Sequence, residues 1–62
     1  MFTVELLDSK GFQLASTEES SLKAAKQAAR DYIVDPEYTQ DAYKSQVCNE
    51  SGEILADYFV EE

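Results

Sequence analysis

Along FTVELL, apolar Phe2, Val4 and Leu6 alternate with Thr3, Glu5 and Leu7. A period of two predicts a strand with one apolar face. DSKG then predicts a turn, with Gly11 in the left-handed position that closes a type I turn with a bulge. Beyond it, Phe12 and Leu14 alternate with Gln13 and Ala15, so a second strand completes a hairpin.

The next segment, STEESS, is rich in helix-starting residues. Ser16 with Glu19 forms one candidate capping box, and Ser20 capping a start at Ser21 is the other. From there Leu22, Ala25, Ala29, Tyr32 and Ile33 recur at the helical period, with Ala24 and Ala28 adding propensity and permitting close approach. Pro36 disfavours helix in the residue before it, which predicts an end near Val34 and a helix over 21–34.

DPEYTQDAY reads as a polar connection, and YKSQVC, NESG and EILADYFVEE as a second hairpin. Gly52 follows Gly11 by 41 positions, and that offset also sets Leu6-Leu7 against Val47-Cys48 and Leu14-Ala15 against Leu55-Ala56. An ancient duplication and recurrent turn chemistry both account for this likeness.

Two hairpins bracketing one helix predict a single α+β domain over 1–62, a ββαββ chain whose four-stranded sheet carries the helix on one face. The element order resembles the beta-grasp arrangement of small immunoglobulin-binding domains. That resemblance implies a first and last strand paired in parallel at the centre of the sheet.

Charge divides this frame. The chain has thirteen acidic and five basic residues and a formal net charge of −8. Over 21–34 the bases Lys23, Lys26 and Arg30 face only Asp31, so the remainder carries −10. With Gln27, those bases form a narrow stripe away from the apolar helix face and read as its solvent side. The balance disfavours direct contact with nucleic-acid phosphates or anionic membranes and favours basic partners.

Catalytic chemistry is sparse. There is no histidine, the single Cys48 has no imidazole to activate it, and neither glycine belongs to a phosphate-binding motif. Cys48 reads as a small strand residue. Asp35, Glu37 and Asp41 share a loop but lack the spacing of a calcium-binding loop and read as solvated. The tyrosines Tyr32, Tyr38, Tyr43 and Tyr58 read as packing residues, and Asn49-Glu50-Ser51 as part of a turn. No enzyme activity, cofactor or metal is expected. MFTVELLDSKG reads as a strand rather than a targeting segment, and one cysteine fits a reducing, cytoplasmic setting.

The last strand carries the functional expectation. Ile54, Ala56, Tyr58 and Val60 would face the helix, leaving Glu53, Leu55, Asp57, Phe59 and Glu61 outside. If the first and last strands pair, Leu7, Leu55 and Phe59 gather among Glu5, Glu53 and Asp57. These six residues form the expected partner-binding face, an apolar cluster rimmed by acids.

In size, acidity, lack of catalytic residues and scarcity of cysteine, the chain resembles the short acidic inhibitor proteins of bacteriophages and mobile elements, including anti-restriction and anti-CRISPR proteins. The resemblance implies a DNA mimic that blocks a basic nucleic-acid-binding protein. The alternative is a structural domain that self-associates as a homodimer through the same face.

Overall fold

A computed structural model describes residues 1–60. Phe2–Asp8 forms β1, Gln13–Glu19 β2, Leu22–Val34 α1, Ala42–Cys48 β3 and Ile54–Phe59 β4. The four strands make one sheet and α1 packs on one face of it, which is the expected α+β ββαββ arrangement.

The strand order differs from that of a beta-grasp domain. It is β2-β1-β3-β4 with every neighbouring pair antiparallel, so β1 meets β3 at the centre and β4 is an edge. Packing accounts for the choice. β3 buries Ser45, Val47 and Cys48, whereas β4 buries no residue fully. A central strand loses solvent on both edges, and β3 has the small residues that suit it.

Under the helix, Val4 and Val47 meet Ala25 and Ala29, with Phe2, Leu22, Ala28, Tyr32, Ala56 and Tyr58 packed around them. Alanine on the helix face lets the backbone approach the sheet closely, and at that distance Ser45 Oγ donates to the Ala29 carbonyl at 2.7 Å. Ile33, expected in this core, is only half-buried and lines a groove at the helix end instead.

Ser21 is the N-cap of α1, its hydroxyl accepting from the Ala24 amide at 3.2 Å. The helix therefore starts one residue later than expected, and the Ser16–Glu19 alternative fails because those residues extend β2. Pairing with β1 through Phe2↔Glu19 outweighs the weak local preference for a cap. Phe12, expected as an apolar strand residue, lies before β2 and is 68% exposed. Asp8 Oδ1 accepts from the amides of Lys10 and Phe12, both at 2.9 Å, and so draws Phe12 into the turn.

The second turn repeats this geometry. Asn49 Oδ1 accepts from Ser51 and Glu53 at 3.0 Å, and Gly52 has φ 83° where Gly11 has 89°. The likeness extends along both hairpins at the offset of 41. Val4↔Thr17 corresponds to Ser45↔Tyr58, and Leu7↔Gln13 to Cys48↔Ile54, which leaves Leu14 and Leu55 as equivalent bulge residues. The central β1–β3 register maps onto itself about the Glu5↔Gln46 pair. The sheet thus has an internal two-fold, perpendicular to its plane, that exchanges β2 with β4.

Candidate protein-binding face

Paired residues in an antiparallel sheet share a face. Val4, Leu6, Ser45 and Val47 lie under α1, so the residues alternating with them form the opposite, open face. Across the strands its rows are Gln13–Leu7–Lys44–Phe59, Ser16–Glu5–Gln46–Asp57 and Glu18–Thr3–Cys48–Ile54.

Four of the six expected binding residues, Glu5, Leu7, Asp57 and Phe59, therefore share this face. Leu55 joins them, since it alternates with Ala56, which packs beneath the helix. Glu53 precedes β4 in the turn, where its backbone bonds to Asn49. The expected direct pairing of β1 with β4 does not occur. Lys44 lies between Leu7 and Phe59, and Gln46 between Glu5 and Asp57, so each pair is two strand spacings, about 10 Å, apart. Glu61 lies outside the described residues.

One further strand residue departs from expectation. Ile54 pairs with Cys48 and shares the open face, where it is 53% exposed, rather than facing the helix. The bulge at Leu55 shifts the alternation by one residue. A third bulge, between Leu7 and Asp8 on the β1–β3 ladder, leaves Tyr43 as the extra residue. Tyr43 packs edge-on against Phe59, with ring centres 5.5 Å apart. The offset of 41 relates the bulge at Leu55 to that at Leu14, but it does not extend to the one at Tyr43.

The bases near β4 are engaged by aromatic rings. Lys44 Nζ sits 5.9 Å from the Phe59 ring centre, and the Arg30 guanidinium 5.4 Å from that of Tyr58. Arg30 stays exposed, as expected of the solvent stripe, while its guanidinium lies over the Tyr58 ring. Among the described residues the one ion pair joins the Met1 amine to Glu50 at 2.6 Å, and the Glu5 and Asp57 carboxylates have no cationic partner.

Cys48 is buried on β3, and burial pushes its thiol up; the nearby Glu5 carboxylate adds to this and Lys44 opposes it. The neutral thiol is a poor nucleophile. Burial likewise raises the Tyr32 phenol, reinforced by Tyr38, Asp35 and Glu19. In the connecting loop Asp35 Oδ1 accepts from the Glu37 amide at 2.9 Å, and the Asp35 carbonyl from the Tyr38 and Thr39 amides. That carboxylate serves the turn. Among the described residues no three His, Cys, Asp or Glu side chains are grouped as metal ligands.

An apolar groove missed by the sequence reading, about 480 Å³ in volume, runs between the end of α1 and β4. Arg30, Ile33, Val34, Thr39, Phe59 and Val60 line it. Among the described residues no helix is long and apolar enough to cross a membrane. Comparison with protein-family models, curated proteins and solved structures finds no match for this chain.

Proposed function

We propose that the chain is a non-catalytic protein-binding module whose open sheet face meets a basic, nucleic-acid-binding protein, as a phage-type inhibitor or DNA mimic would. The observation that carries this reading is the composition of that face. Glu5, Glu18 and Asp57 stand on it against Lys44 alone, beside exposed Ile54, Leu55 and Phe59. Carboxylates there attract and orient a cationic surface, while the apolar residues supply the area that is desolvated on contact. The cytoplasm, where such partners and a reduced Cys48 coexist, is the setting this reading requires.

Self-association through the same face is the alternative. A net charge of −8 on each copy opposes it, whereas a basic partner removes the repulsion. The test is capture of a partner from a lysate, its identification, and affinity measurement at two salt concentrations with duplex DNA as competitor. The inhibitor reading expects binding that weakens with salt and is displaced by DNA. Phe59→Ala or Leu55→Ala should weaken it more than Lys26→Ala, and Glu53→Lys with Asp57→Lys should weaken it further. A salt-indifferent complex would count against the DNA-mimic reading and for apolar association through the same face, and a complex damaged by the helix change alone would rule the proposed face out.

A further inference from the structure

The internal two-fold supplies a comparison within one molecule. β2 and β4 are equivalent edges of the same sheet, in the same register, after the same turn and with the same bulge. Their side chains differ. Where β2 has Gln13, Ser16, Thr17 and Glu18, the equivalent positions on β4 are Ile54, Asp57, Tyr58 and Phe59. Polar and charged residues on β2 discourage pairing with another strand, whereas an apolar edge of this length is a template for it. Tyr58 packs around the core, but the backbone geometry that the two edges share leaves exposed Ile54 and Phe59, where β2 has Gln13 and Glu18, unexplained by the needs of the fold.

The free groups along β4 are identifiable. Val60 N donates to Tyr43 O, so in the alternating ladder Tyr58 and Ala56 turn their backbone groups toward β3. Asp57 and Phe59 turn theirs outward, as Ser16 and Glu18 do on β2. The side chains of Asp57 and Phe59 stand on the open face, while Tyr58 between them faces the helix side, where the groove beside Ile33 and Val34 opens.

Resting on the protein-binding reading above, we propose that the outer edge of β4 takes up an extended segment of the partner as a fifth strand, with a basic residue opposite Asp57 and an apolar residue opposite Phe59. The partner residue between these two lies on the helix side next to Tyr58 and the groove, and is apolar as well. Main-chain hydrogen bonds hold the segment and alternate side chains select it. Charge decides the occupant. Asp57 is without a cationic partner among the described residues, Glu53 flanks the strand, and the two nearest bases are held over aromatic rings. A second copy pairing through β4 in the centred register would set Asp57 against its own copy, which destabilises a cross-strand pair.

The test uses the whole chain, isotopically labelled, and a short capped peptide in which a lysine is flanked on each side by two valines, so that lysine opposite Asp57 leaves valine opposite both Tyr58 and Phe59. A matched peptide N-methylated at every residue keeps the charge and side chains but has no backbone N–H to donate from either edge. Amide exchange at saturating peptide should slow at least about tenfold at Asp57 and Phe59 and stay unchanged at Ser16 and Glu18. The methylated peptide should bind at least about tenfold more weakly. Asp57→Lys, with its fold checked by circular dichroism, should reverse the preference toward a glutamate-valine peptide. Equal binding of both lysine peptides would overturn strand addition while leaving an electrostatic face intact. Protection at both edges, or protection of β4 that rises with protein concentration without peptide, would also overturn it, the latter in favour of a second copy. If neither peptide binds, strand addition is wrong, and the lysate experiment decides the wider reading independently.

Discussion

Ser45 lies wholly out of solvent beneath α1, and its hydroxyl reaches the Ala29 carbonyl. YKSQVC alternates in a way that puts Ser45 and Val47 on one face, so its orientation was legible. Its partner was not, because the close approach depends on Ala25 and Ala29 meeting that particular strand. Removing the hydroxyl leaves no larger group unsatisfied, since the Ala29 carbonyl keeps its place in the helix. Ser45→Ala should therefore lower stability by about 1 kcal/mol, the net worth of one hydrogen bond. Ser45→Val should cost more, about 1–3 kcal/mol, by overfilling the space under the helix. Urea denaturation of both variants checks the order, and a valine variant as stable as the parent would show that the helix can move away.

At the scale of elements, the two turns make a matched pair. Gly11 and Gly52 both adopt positive φ, and a Cβ at either would meet nothing within 4 Å. Only backbone strain should then oppose alanine there, so Gly11→Ala and Gly52→Ala should each destabilise by about 1–2 kcal/mol and by similar amounts. Denaturant midpoints of the two variants give the comparison, and unequal losses would mean that the hairpins are not energetically equivalent. Local chemistry made these turns legible, as it did the helix, whose alanine-rich apolar face and closing Pro36 are encoded within a few residues. Strand order was not legible in the same way. It depends on whether β3 or β4 meets β1, a choice settled by the burial of Ser45, Val47 and Cys48 together. The candidate face was half legible for that reason: alternation assigned Glu5, Leu7, Leu55, Asp57 and Phe59 to one side, but only the sheet order could put Lys44 and Gln46 between them. The bulge at Leu55 then moved Ile54 to that side, a one-residue shift that alternation alone cannot anticipate.

For the whole molecule, the charge of −8 acts twice and with opposite sign. Within the fold, carboxylates on the sheet and loops repel one another, and compaction brings them closer than they are in the unfolded chain. Between molecules, the same carboxylates draw in a basic partner. Salt screens both interactions over a Debye length of about 10 Å at 0.1 M. Added sodium chloride should thus raise the urea midpoint of the isolated protein while weakening its association with the captured partner. Lysine at Glu53 and Asp57 should reduce both responses, since it removes the repulsion and the attraction together. Denaturation and affinity series over the same salt range, with the parent and the double variant side by side, read the two signs directly. If salt strengthens partner binding in parallel with folding, apolar contact dominates the interface and the acidity of the chain serves its solubility rather than its recognition.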